Sequence, residues 1–357
     1  MVQEPHKILE TDKGGIGSLS VADFDLDGDL DLFIGSTSAF GRYPEPANSQ
    51  IWINQNGTLQ KSETLSMPFA SIGHINGSVF FDLDEDERPD LALATEWGSI
   101  QVFQNLETGF VNRTSSMGLA PHRGWWTSID SGDFNGDGRM DLVAGNRGLN
   151  TEMTLNQSPQ FRIWYGDNDK NGTMETLESW FKAGNWFPVA NRTQLSATFP
   201  NLPQDIPTHG QFSKTTVNLV LGGRSNEFNH LEANVFESSV FLNRSNGFLR
   251  VPLPSSTQES PVYSVRVGDV NGDQAPDIFI GQNKFPKNLD ITRYDNGQGF
   301  WLLGNANGTF RSLGSKTSGI HVLGEIRDST LNDFNKDRKP DMTIIQNNGE
   351  LRLFLGK

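Results

Sequence analysis

A nine-residue acidic loop recurs six times in this chain of 357 residues, with oxygen-bearing side chains at loop positions 1, 3, 5 and 9. The first copy offers Asp23, Asp25, Asp27 and Asp31, with Asp29 at position 7. The second offers Asp82, Asp84, Asp86 and Asp90, with Arg88 at position 7. The third has Asp133, Asn135, Asp137 and Asp141 around Arg139, and the fourth Asp167, Asp169, Asn171 and Glu175 around Thr173. The fifth has Asp269, Asn271, Asp273 and Asp277 around Ala275, and the sixth Asp333, Asn335, Asp337 and Asp341 around Lys339. Such a set suits a hard cation that takes six to eight oxygens at roughly 2.3–2.6 Å. Alternate residues of a tight loop point inward, and position 7 contributes its backbone carbonyl whatever its side chain. The expected ion is Ca²⁺, at up to six sites. The alternative is a set of polar turns without metal, in which four clustered carboxyl or amide groups would repel one another.

The spacing superficially matches an EF-hand. That motif needs a bidentate Glu at position 12 and a helix on each side. Position 12 of the first loop is Ile34, and both flanks are short and rich in strand formers. Three loops carry Gly at position 6 (Gly28, Gly138, Gly172), where the backbone is expected to need a positive φ. The other three carry Glu87, Gln274 and Arg338 there, and all three have Pro at position 8 (Pro89, Pro276, Pro340). A non-Gly residue in the left-handed region costs about 1–2 kcal/mol, so these three loops are expected to bind more weakly. The loop at Asp167 ends in Glu175 and lacks the usual apolar run after it.

The formal charge of −14 follows largely from the loops, whose four ligand positions hold 20 of the 43 acidic residues. Six bound Ca²⁺ would leave roughly −2, so the acidity does not imply a cationic partner. Nucleic acid is excluded by the sign of the charge and the lack of a Lys/Arg run. The absence of cysteine excludes disulfides and thiolate zinc. Sites of modest affinity fill where Ca²⁺ reaches roughly 10⁻⁴–10⁻³ M, outside the cell. A secreted, periplasmic or surface location is therefore expected, although Met1–Pro5 has no signal-peptide character and no apolar run spans a membrane. The chain reads as a monomeric domain excised or processed from a longer protein. Asn56, Asn112 and Asn307 sit in Asn-x-Ser/Thr triplets, which read first as turn chemistry.

Each loop must be held by a pair of strands. One leads in, and a second leaves as Asp31–Gly35, Asp90–Ala94, Asp141–Gly145, Asp277–Gly281 or Asp341–Ile345. A third follows at Ile51–Asn54, Ile100–Phe103, Val240–Asn243, Phe300–Leu303 or Leu351–Phe354. A fourth follows a turn at Thr58–Lys61, Phe110–Asn112, Phe248–Val251 or Thr309–Arg311. Four antiparallel strands every 40 to 60 residues or so predict an all-β fold, a β-propeller with Ca-binding loops. The last repeat stops at its third strand, and Lys7–Glu10 reads as an orphan fourth. Pairing Lys7–Glu10 with Leu351–Leu355 would close the ring and remove two free edges. The blade count is then six, or seven if the Asp167 loop opens its own blade.

The Asp-x-Asp-x-Asp-Gly-x-x-Asp loop before a strand resembles FG-GAP/VCBS-type propeller repeats, as in integrin α heads. Gly41–Pro46, Gly124–Trp126 with Gly145–Asn150, Glu232–Asn234 and Gly324–Asp328 are similar to bacterial VCBS-repeat proteins akin to cartilage acidic protein, often associated with an ASPIC/UnbV module. The resemblance implies an exported or surface protein and supplies no catalytic residues.

One region breaks the repeat. Residues 178–216 carry two Trp and four Pro, with a short helix predicted at Gln194–Phe199; they form an insertion within a single domain of residues 1–357. It either shapes a binding surface or covers a blade edge. Of Trp125 and Trp126, one is expected between blades and the other toward a loop surface. The six histidines show no metal spacing, and no Gly-x-Ser-x-Gly elbow or phosphate loop occurs. Arg42, Arg123, Arg147 and Arg327 either line a central channel or sit on the solvated surface. Two functions follow. One is a Ca²⁺-rigidified module for adhesion, scaffolding or binding a protein or carbohydrate ligand. The other is a polysaccharide lyase or hydrolase, which needs a His or Tyr beside an Arg in the channel.

Overall fold

The computed structural model describes residues 14–151, 160–286 and 292–357. The first sheet is β1 (Gly14–Ala22), β2 (Asp31–Ala39), β3 (Gln50–Gln55) and β4 (Thr58–Ser62). The second is β5 (His74–Phe81), β6 (Asp90–Gly98), β7 (Gln101–Leu106) and β8 (Gly109–Asn112), with β9 (Gly124–Trp125) added beside β6. The third begins with β10 (Ser128–Gly132) and β11 (Asp141–Gly145). The chain then leaves to build a separate sheet from β12 (Phe161–Gly166), β13 (Glu175–Lys182), β14 (Asn185–Pro188) and β15 (Asn229–Ala233). It returns to complete the third sheet with β16 (Ser239–Arg244) and β17 (Gly247–Pro252). The fourth uses β18 (Val262–Gly268), β19 (Asp277–Gln282), β20 (Phe300–Gly304) and β21 (Phe310–Leu313), and the fifth β22 (Ile326–Asn332), β23 (Asp341–Gln346) and β24 (Arg352–Phe354).

Every described pairing within a named sheet is antiparallel, and each acidic loop joins two neighbouring strands of its sheet. The fold is all-β, as the repeat pattern predicted, and the strand positions match it to within a few residues. The first strands of the five sheets pack in the order β1, β5, β10, β18, β22. Apolar side chains between successive sheets form the cores, for example Phe33, Ile75, Leu91 and Phe103 between the first two, and Val143, Val240, Val265 and Ile280 between the third and fourth. The end sheets each leave one apolar face open: Leu19 and Val21 on β1 are 59% exposed, and Ile345 on β23 and Leu353 on β24 are 48% and 53% exposed. The expected strand Lys7–Glu10 lies outside the described residues; β24 pairs with β23.

The Asp167 region has two expected placements, inside the third repeat or in a unit of its own. Its loop sits in its own nested sheet, between the second and third strands of the third sheet. The segment after Glu175 is a strand despite its polarity, because Leu177 and Ser179 alternate inward. Residues 178–182 and 185–188 of the expected insertion are therefore strands, and the helical part runs later. Its first helix is α2 (Arg192–Thr198), numbered after a one-turn α1 (Glu63–Ser66), and it begins two residues before the predicted one. Asn191 caps it, with Gln194 bonding back. Leu195, Phe199, Leu202 and Val217 of this part pack on Trp164 and Leu177.

Candidate functional site

All six loops share one backbone form. Position 6 has positive φ with or without glycine: 96°, 88° and 90° at Gly28, Gly138 and Gly172, and 65°, 69° and 70° at Glu87, Gln274 and Arg338. Position 4 is left-handed too, at Leu26, Glu85, Gly136, Lys170, Gly272 and Lys336, which the sequence reading missed. Glycine there in two copies was the available signal. These turns point backbone N–H groups at the position 1 carboxylate. Asp133 accepts from Gly136 (2.8 Å), Asp137 (3.2 Å) and Gly138 (2.9 Å), and Asp269 accepts from Gly272, Asp273 and Gln274. Position 5 accepts the N–H of position 7, as in Asp29 to Asp27 at 2.9 Å and Lys339 to Asp337 at 2.9 Å. Position 7 thus enters the loop through its backbone; only in the fourth copy does its side chain also take part, the Thr173 hydroxyl donating to Asn171 Oδ1.

Position 9 has a second role beyond the one expected. Asp31, Asp90, Asp141, Asp277 and Asp341 are fully buried. Each accepts the N–H of position 2 with one oxygen and an N–H from the third-strand region with the other. For Asp141 the donors are Phe134 (3.0 Å) and Asn243 (2.7 Å); for Asp90 they are Leu83 (2.7 Å) and Asn105 (2.6 Å). The Asn side chains then reach the preceding sheet's loop: Asn105 donates to the Phe24 carbonyl (2.7 Å) and Asn243 to the Leu83 carbonyl (2.9 Å). Position 9 fastens its loop to its own sheet and, through Asn, to the neighbouring one.

The donor sets fit a hard cation. Carboxylate oxygens of Asp23, Asp25 and Asp27 lie within 4.8 Å of one another, as do those of Asp82, Asp84 and Asp86, and of Asp167, Asp169 and Glu175. Asp167 Oδ1 is buried with no hydrogen-bond partner. Burial pushes Asp90 up to about 7 and Asp141 up to about 6, against the pull of their backbone donors. Asp25 and Asp84 are raised by burial and then by the like charges of Asp27 and Asp86. A divalent ion reverses both causes by supplying the missing positive charge.

A second feature lies at the starts of the first strands. A polar cavity of about 530 Å³ is lined by Asn76, Glu96, Trp125, Thr127, Tyr263, Lys284 and Arg327. Trp126 is fully buried in the core between the second and third sheets, as expected for one of the pair, while Trp125 lines the cavity rather than a loop surface. The four arginines divide. Arg42 pairs with Glu45 and Arg123 with Glu232, at the periphery. Arg147 stacks over Trp125 at 3.6 Å, and Arg327 lies 4.2 Å over Tyr263 while bonding Glu325 at 2.9 Å. Glu96 accepts from the Tyr43 hydroxyl, and His74 Nε2 stands 3.9 Å from it. A Tyr does stand beside an Arg, but burial raises Tyr263 above its ordinary value against the pull of Arg147 and Arg327.

Among protein families, the FG-GAP-like repeat matches residues 23–93 and 82–144, and the FG-GAP repeat matches residues 125–164. No curated protein sequence matches the chain. Among solved structures, BBS1N in complex with ARL6DN, soaked with lead, is 10% identical with a TM-score of 0.36, over 96% of this chain and 80% of that one. The V. cholerae biofilm matrix protein Bap1 is 9% identical with a TM-score of 0.32, over 94% of this chain and 66% of that one. A mercury-soaked BBS1N–ARL6DN complex is 11% identical with a TM-score of 0.32, over 97% and 93%.

Proposed function

We propose that this chain is an FG-GAP repeat protein, a calcium-rigidified β-propeller that works outside the cell as a binding module for a protein or glycan. The observation that carries this reading is the repeated all-oxygen donor set, with acidic groups that burial and like charge hold above their ordinary values. Ca²⁺ would be held by positions 1, 3 and 5, with the position 7 carbonyl and the position 9 carboxylate completing each site. Bound there, it supplies the charge that lets these carboxylates remain ionised. The loops then stay closed and the strand starts that carry the cavity stay in place. No helix among the described residues is long and apolar enough to cross a membrane. The working unit is monomeric.

A catalytic reading draws on Tyr263 beside Arg327. A tyrosine serving as general base needs a value lowered toward neutrality, and Tyr263 moves the opposite way. Binding is therefore preferred to lyase or hydrolase chemistry. Two measurements test the proposal: melting with and without chelator, and a glycan array with the calcium-loaded protein. At hundredfold ligand excess each native-state site adds about 2.7 kcal/mol, so chelation should lower Tm markedly. An unchanged Tm after complete metal removal, or an array silent in both states together with no protein partner by pull-down, refutes it.

A further inference from the structure

The cavity is written into the repeat. Gly17, Asn76, Thr127, Tyr263 and Arg327 each stand six residues ahead of their loop's first aspartate. In four of the five sheets the first strand breaks register at that residue: between Ile16 and Ser18, Ile75 and Gly77, Val262 and Ser264, and Ile326 and Asp328. A β-bulge leaves one residue out of the ladder and re-aims its side chain. The bulged Asn76, Tyr263 and Arg327 all line the cavity, as does Thr127 just ahead of β10. Gly17 contributes no side chain, since a Cβ there would meet the Ile75 carbonyl oxygen at 1.7 Å. Second strands add Glu96 from β6, and Lys284 follows β19.

The charges in this cavity are unequal. Arg327 is matched by Glu325, and Glu96 is engaged by Tyr43 and faces His74. No described residue forms an ion pair with Lys284 or Arg147. Lys284 is half-buried, and it is lowered by burial, then by Arg147, with Glu96 and Glu178 opposing and Arg327 adding to the fall. Trp125 and Tyr263 each have one face covered by a guanidinium group, and Trp97 packs against Trp125 as well. An ammonium that no described residue pairs with, and the Arg147 guanidinium stacked on the cavity's Trp125, select an anion. Glu96 and the Asn76 amide, whose Nδ2 is engaged by the Trp126 carbonyl at 2.9 Å, leave oxygen acceptors for hydroxyl donors.

We propose that this cavity binds a small hydroxylated carboxylate, a sugar acid, with the carboxylate on Lys284 and Arg147 and the hydroxyls on Glu96 and Asn76. The volume lies within the range of ligand pockets. The inference rests on the binding-module reading and names the ligand class of its site. The test is titration calorimetry of the calcium-loaded protein with D-glucuronate, D-glucose and inorganic sulfate. Glucuronate should bind at one site, with glucose and sulfate at least tenfold weaker. Lys284→Met should weaken glucuronate at least tenfold while its melting in calcium stays at the parent value, and Glu96→Gln should weaken it by a smaller factor. Equal binding of glucose overturns the charge argument. Equal binding of sulfate overturns the hydroxyl argument. Unchanged affinity in a folded Lys284→Met overturns the site. If glucuronate fails while the array reports another ligand, the inference falls and the binding-module reading stands.

Discussion

Asp141→Ala separates the two jobs of a loop's last carboxylate. Asp141 is fully buried and accepts the N–H groups of Phe134 at 3.0 Å and Asn243 at 2.7 Å. Truncation leaves both donors buried without a partner. An orphaned buried donor costs about 1–3 kcal/mol, so the two together cost about 2–6 kcal/mol, with or without metal. Asn243 also carries the bond to Leu83 of the second sheet, so its displacement loosens the joint between sheets. For a chain of this length roughly 1–2 °C accompanies each kcal/mol, and the drop in Tm should be on the order of 3–10 °C. Asp137→Ala is the control. Its carboxylate accepts the exposed Arg139 N–H at 3.1 Å and stands 3.3 Å from Arg244. It should therefore cost stability in calcium and almost none in chelator. Differential scanning calorimetry of both variants in calcium and in EDTA reads the four values. If the Asp141→Ala loss vanishes in EDTA, the carboxylate acts only through the metal and the fastening argument is wrong.

Asp27→Ala should reduce calcium-dependent stability more than Asp337→Ala, because the first loop has four carboxylates and Gly28 while the sixth has Asn335 and a strained Arg338; equal or reversed losses by titration calorimetry would refute the ranking. Arg338→Gly, at φ 70°, should raise the urea midpoint by the equivalent of about 0.5–1 kcal/mol, the relief of a left-handed side chain less the entropy glycine adds to the unfolded chain; a fall would show the strain is not there. Burial lowers His74 against Glu96 and Asn76, and burial with Arg250 lowers His122. Each takes up its proton at lower pH in the folded state than in the unfolded chain, which protonates near 6.5, so their contribution is present at pH 7.5 and is lost as pH falls below about 6.5. In calcium, Tm should fall between pH 7.5 and 5.5, and His122→Asn should fall less; equal falls would remove His122 from the account.

The loops were legible because metal chemistry fixes residue type and spacing together, and the strands because apolar runs abut each loop. What stayed hidden depends on contacts distant in sequence. Leu26 and Lys336 adopt positive φ because the position 1 carboxylate gathers N–H groups around it, a demand that leaves only Gly136 and Gly272 as traces. The fastening role of Asp90 and Asp141 needs donors from strands 15 and 102 residues away. The Asp167 loop looked like part of the third repeat because the chain between β11 and β16 gives no sign of closing a sheet before returning. The four cavity residues that stand six ahead of a loop, Asn76, Thr127, Tyr263 and Arg327, are of four unrelated types. Their common offset from the loop has meaning only once the bulges bring Asn76, Tyr263 and Arg327 to one place.

The row of sheets has a thermodynamic consequence. Among the described residues each of the five sheets bonds to its neighbours in the row: Ser20 to Ser78 for the first and second, Asn243 to Leu83 for the second and third, Val267 to Asp130 for the third and fourth, Ser264 to Ser329 for the fourth and fifth; the nested sheet bonds to the first, the Met174 N–H donating to the Gly41 carbonyl at 2.9 Å. Coupling of this kind makes stability a sum of unit and nearest-neighbour terms. Among the described residues the sheet holding Leu353 has one such joint, whereas the first and the third have two each. Local opening should therefore begin at the fifth sheet and propagate inward, and slow amide exchange should concentrate on β10, β11 and β18. The strand starts that carry Thr127 and Tyr263 lie at the cooperative centre, whereas the Arg327 side of the cavity belongs to a unit that opens more readily.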